Sequence, residues 1–120
     1  MPTHRMKTYS GESGYVYQYY FLESQERKRW WARIGTAFLF HITSDRKKFY
    51  VVEVLLEDRA LQAWEREHGR PLEDAEQYAA AKMRLFRAFD ESEDPEKLSD
   101  IRVSDSNIDG LLKPLGLADE

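Results

Sequence analysis

Large apolar side chains recur every second residue between Tyr15 and Leu56, and from Arg59 onward the spacing lengthens to that of a helix. The first run, residues 15–22, puts Tyr15, Tyr17, Tyr19 and Phe21 on one face of a strand. Val16, Gln18, Tyr20 and Leu22 share the other face. Neither face is polar, so the strand is covered on both sides or offers an aromatic face to a partner. A second strand is predicted over residues 36–43, with Phe38, Phe40 and Ile42 opposed to Leu39 and His41. A third, residues 48–56, sets Phe49, Val51, Glu53 and Leu55 against Tyr50, Val52, Val54 and Leu56. Gly11-Glu12-Ser13-Gly14 and Ser44-Asp45-Arg46-Lys47 have turn composition. Together these segments predict a three-stranded antiparallel meander.

Residues 23–33, ESQERKRWWAR, fit no single period. Ser24 is placed to cap a short helix ending at Gly35. The flanking strands favour a long hairpin loop instead, with Trp30 and Trp31 already joining the second strand. Neighbouring side chains on a strand face opposite ways, so one indole is expected inward and the other outward.

Asp58 then caps a helix over residues 59–68 with Leu61, Trp64 and His68 on its apolar side, and Gly69 suits its end. The central helix is predicted from Pro71 to about Ser92. Its stripe comprises Leu72, Ala75, Tyr78, Ala79, Met83, Leu85, Phe86 and Phe89. Phe86 and Phe89 are expected against strand residues 37–56. Lys82 interrupts the stripe, and Glu53 interrupts a strand face. Two matched exceptions on facing elements predict a buried Glu53–Lys82 ion pair. A turn at 95–99, a short edge strand at 101–103 and a helix at 107–112 complete the chain. Strands first and helices after indicate an α+β fold: the meander, a short fourth strand at its edge, and helices packed on one sheet face.

The chain has 120 residues, 42% of them apolar, with 3 Trp, 7 Tyr and 6 Phe. That is one aromatic-rich domain spanning residues 1–120, with the polar residues 1–8 expected to be disordered. Cysteine is absent, which removes thiolate chemistry and Cys-based zinc sites. No apolar signal core or membrane-length run is present, so a cytoplasmic protein without membrane contact is expected. The net charge of −4 conceals an asymmetry: residues 1–60 carry 10 basic and 7 acidic side chains, residues 61–120 carry 8 and 15.

Chemistry-bearing motifs are scarce. His4, His41 and His68 share no metal-ligand spacing, and no HExxH, GxSxG or glycine-rich phosphate loop occurs. The acidic run at 90–96 lacks the spacing of a calcium loop. No catalytic residue, metal site or cofactor is therefore assigned. An enzyme would have to assemble its site from scattered groups such as His41, Glu53, Lys82 and the tyrosines. What stands out is Arg27, Lys28, Arg29, Trp30, Trp31 and Arg33, where cations adjoin two indoles. Such a loop fits a binding surface, because exposed Trp beside Arg marks interface hot spots. The expectation is a small non-catalytic binding or regulatory module that acts through protein–protein contacts and self-associates as a dimer. Its loop faces an acidic protein surface. One alternative is a nucleic-acid-associated protein that uses the same loop. The second is a small enzyme or ligand binder with a pocket between sheet and helices.

Overall fold

The computed structural model describes residues 6–11, 14–92 and 94–117. A five-stranded sheet has the order β1 (Lys7–Ser10), β2 (Val16–Arg29), β3 (Ala32–Thr43), β4 (Tyr50–Glu57), β5 (Ile101–Val103). The first four strands form an antiparallel meander, and β5 adds in parallel beside β4. Between β4 and β5 run the helices α1 (Asp58–His68) and α2 (Asp74–Glu91), and α3 (Ile108–Leu112) follows β5. This is the predicted α+β fold with two differences. The sheet gains β1, and β2 and β3 are far longer than expected. Lys7 and Thr8, expected to be disordered, pair with Tyr19 and Gln18; residues 1–5 lie outside the described part.

The inner sheet face carries Tyr17, Tyr19, Phe38, Phe40, Ile42, Val52, Val54 and Leu56, all buried. α2 covers it with Ala80, Ala81, Leu85, Ala88 and Phe89. The small side chains let the helix approach closely, and the large rings then interleave. Phe89 stacks on Tyr17 at 4.2 Å, Phe86 on Tyr9 at 4.4 Å, and Tyr78 meets Phe21 edge-on at 5.1 Å. Phe86 and Phe89 thus find their ring partners on β1 and β2, not on residues 37–56. Hydroxyls at the rim are satisfied at the end of α2. Tyr17 donates to the carbonyl of Ser92 at 2.8 Å, and Tyr9 donates to Asp90. That pattern lets a tyrosine fill apolar space while its polar tip is bonded.

Local signals set the helix ends except at the start of α1, where Glu57, not Asp58, is the N-cap and makes no side-chain cap bond, and Asp58 accepts from Arg33 instead. Gly69 stops α1 in a left-handed conformation, φ 77°, where a Cβ would be strained. Glu73 and Glu76 form a reciprocal capping box at the start of α2, and Arg70 also bonds Glu76. The hydrogen bond from Arg70 is the largest cause holding the Glu76 carboxyl below its usual pKa, followed by the Glu73 backbone.

Candidate functional site

Segment 23–35 is neither helix nor loop. The ladder continues to the pair Arg29–Ala32, and Trp30 and Trp31 form a two-residue turn. Such tight hairpin loops need a positive φ in the turn, which Trp30 supplies at 60°. Glycine or asparagine ordinarily marks that position, and neither is present in RKRWWAR. Fourteen residues in β2 span about 43 Å at ~3.3 Å per residue, close to the longest dimension of the molecule, 44 Å.

Two irregularities shape this arm. The register passes from Phe21–Phe40 to Glu23–Leu39, leaving Leu22 as an extra residue, and from Arg27–Gly35 to Lys28–Arg33, leaving Ile34. The first bulge reverses the alternation. With an uninterrupted period of two, Glu23, Gln25 and Arg27 would share the core face with Tyr17 and Phe21. Beyond the bulge they stand on the outer face instead, level with Leu39, Ala37 and Gly35.

The arm is held by ion pairs that sequence proximity does not reveal. Arg27 binds both carboxylate oxygens of Glu53, at 2.8 and 3.2 Å, and also Gln25. Arg33 donates to Asp58 at 2.9 Å, Glu26 at 3.2 Å and Thr36 at 2.7 Å. Lys28 lies 3.8 Å from Glu26. Of the four cations picked out in the sequence, two are therefore tied into the arm by long-range acids. The Arg29 side chain carries no hydrogen bond or ion pair among the described residues.

Both indoles are outward. Trp30 is 84% and Trp31 83% exposed, their rings 5.7 Å apart. The expectation of one inward indole fails because the two residues form the turn itself, where strand alternation has ended. The predicted Glu53–Lys82 pair is likewise not formed. Glu53 is on the outer face with Arg27, while Lys82 lies on α2 with its ammonium 5.6 Å from the centre of the Tyr78 ring. Burial, and then the nearby Lys7, lower the Lys82 pKa.

Three other groupings were hidden in the sequence. Beside the arm is a cleft of about 350 Å³ whose rim includes Arg29, Arg33, Arg59 and Arg102. These come from four separate segments, so no linear motif announces them. On the outer sheet face, Tyr20, His41 and Val51 are level with one another across three strands. Tyr20 hydrogen-bonds the Nδ1 atom of His41, and Phe49 packs on the His41 ring at 5.1 Å. Val16, Phe49 and Val51 remain exposed there. Finally, Glu67, His68 and Asp109 gather donor atoms within 4.8 Å of one another. His68 pairs with Asp109 at 3.0 Å and stacks on Trp64, so the contact fastens the end of α1 to α3.

Among the described residues, no helix is long and apolar enough to cross a membrane. No protein-family model, curated protein or solved structure matches the chain.

Proposed function

We propose that the protein is a cytoplasmic binding module that presents the β2–β3 arm to an acidic surface of a partner protein. One observation carries this reading: two adjacent indoles are more than four-fifths exposed at the tip of an ion-pair-braced hairpin. Exposed indoles add nothing to a monomer's core, and Trp next to Arg is the composition of interface hot spots. Bracing the arm beforehand lowers the ordering cost of binding. Nucleic-acid binding through the same tip is less favoured. Affinity for phosphate backbones grows with the number of unpaired cations, and here Arg27 and Arg33 are engaged by acids. Tyr20, His41, Phe49 and Val51 favour a second contact, in which two copies associate through their outer sheet faces.

The test is affinity capture from cells with the wild type and the Trp30→Ala/Trp31→Ala double variant. The wild type recovers one acidic protein in near-stoichiometric yield, and the double variant loses it at an unchanged thermal midpoint. Equal recovery by both proteins removes the hairpin from the interface. Recovery of salt-sensitive nucleic acid in place of protein selects the alternative reading.

A further inference from the structure

We propose that the cleft beside the arm is a binding site for a phosphate monoester in its dianionic form. The cleft lies where the arm meets the junction of β4 with α1, and Arg102 of β5 also lines it. Its volume, about 350 Å³, is at the small end of the range for ligand pockets. Ile34 and Leu55 supply the apolar part of the lining. Guanidinium groups dominate the rest.

The guanidinium groups are unequally engaged, and that defines the ligand. Two carboxylates, Glu57 and Asp58, also line the cleft, and each is already engaged. Asp58 accepts from Arg33 at 2.9 Å, and Glu57 accepts from Arg102 at 3.3 Å. Arg102 is further held by Asp100 at 2.7 Å, outside the lining. The side chains of Arg29 and Arg59 have no hydrogen bond or ion pair among the described residues. Arg33 is likewise held by a second acid, Glu26, at 3.2 Å, so what the cavity offers is not net charge but two guanidinium forks, of Arg29 and Arg59, whose donors no described residue takes up. Arginine stays protonated throughout the accessible pH range and its planar fork fits phosphate oxygens. A phosphate monoester carries about −1.5 to −2 charge at neutral pH and three strong acceptor oxygens, enough to engage both forks. A carboxylate supplies only half of that charge. The cavity also opens at the first turn of α1, and the electropositive end of a helix adds to the same field.

The group has two sources, a small phosphorylated molecule and a phosphorylated side chain of another protein. Only the second has further chain to lay against Trp30 and Trp31, which follow Arg29 at the tip. The site does not depend on the hairpin reading: phosphate affinity and loss of a partner at the Trp30→Ala/Trp31→Ala variant are measured separately.

The experiment follows the Arg Nε–Hε cross-peaks of ¹⁵N-labelled full-length protein during titration with phenyl phosphate. Benzoate and sodium chloride at matched ionic strength serve as controls. The expected result is saturable movement of the Arg29 and Arg59 signals with phenyl phosphate, and at least about tenfold weaker binding of benzoate. Affinity falls as the pH is lowered through ~6, where the dianion takes up one proton and becomes the monoanion. Arg29→Gln and Arg59→Gln each weaken binding about tenfold, the loss of one charge-assisted hydrogen bond. Both replace exposed, unpaired side chains, so the fold is retained. Arg87→Gln, on α2, has no effect. A phosphoserine peptide that binds the cleft and also shifts the tryptophan emission identifies a phosphoprotein source; no emission change identifies a small molecule. Equal shifts with chloride reduce the effect to screening, and benzoate binding as tightly as phenyl phosphate removes the phosphate assignment. Unchanged affinity in the Arg29→Gln/Arg59→Gln variant overturns the site.

Discussion

Phe89 is fully buried and stacked on Tyr17, with Tyr9, Tyr19 and Phe86 around it. Truncating such a ring leaves a cavity that its neighbours fill only in part. Phe89→Ala is expected to cost about 3–5 kcal/mol, read from chemical denaturation; an unchanged midpoint would show that the seam is not core. Phe86 is only half-buried, so its truncation costs less. Lys82 makes the opposite case. Burial and Lys7 lower its pKa, so folding disfavours the charged form. At neutral pH both folded and unfolded chains hold the proton, and the penalty is fully present. As the pH rises through the lowered pKa toward the ordinary lysine value of about 10.4, the unfolded chain binds more protons and stability rises. Lys82→Met is therefore expected to raise the thermal midpoint at pH 7, with the gain shrinking toward pH 10. A midpoint that drops at pH 7 would mean that the ammonium over Tyr78 is net stabilising.

The arm depends on one close approach. A Cβ built on Gly35 would lie 2.3 Å from the carbonyl oxygen of Leu56 and 3.1 Å from the Cα of Glu57. These are backbone atoms, which cannot swing aside as a side-chain tip can. Gly35→Ala is expected to push β3 away from β4 at the base of the arm and to cost about 1–3 kcal/mol. Amide exchange should then quicken from Arg27 to Gly35, with the α2 core still protected. Uniform loss of protection would show that the arm and the core unfold as one unit. The turn between β3 and β4 is secured differently. Asp45 accepts from the backbone N–H groups of Lys47 and Lys48, and these bonds, Lys48 first, hold its carboxyl below the usual value. The Ser44-Asp45 signal was legible because such a bond spans only two or three residues.

Among the described residues, the helices pack on one face of the sheet and leave the other uncovered. The outer row of Tyr20, His41 and Val51, with Phe49 packed on His41, is the apolar part of that face; Gln18 separates it from the exposed Val16. The polar part, with Glu23, Gln25, Arg27 and Glu53, adjoins the arm. If two copies pair through the apolar part, sedimentation equilibrium gives a dimer, and Val51→Glu gives a monomer. Val51 is 61% exposed, so the variant should keep its thermal midpoint at low concentration. A wild-type protein that stays monomeric at high concentration would leave the face to another partner.

Whatever depends on neighbours within about one turn or one strand was legible in the sequence. The period of two set the faces of residues 16–21, 36–43 and 50–56, and the structure keeps those assignments, whereas Leu22 falls in a bulge and Tyr15 and Phe49 lie outside the strands, exposed. The period of 3.6 and the glycine at 69 located α1 and α2 to within a few residues, because caps and helix stripes are local. Ile101–Val103 was visible as a strand for the same reason. Segment 6–10 was not, since Lys7, Thr8 and Ser10 show no alternation and β1 exists by pairing with β2. Long-range packing decided the remaining features. Bulges at Leu22 and Ile34 rephased the arm, and no local preference marks a bulge that serves a distant register. Glu53 chose Arg27 over Lys82 because that rephasing put Arg27 on its face. The arginine cleft joins residues from 29 to 102, so its composition exists only after folding. Both indoles point outward because Trp30 takes a conformation that side chains rarely adopt, and the flanking ladder, not the turn residues, imposes it.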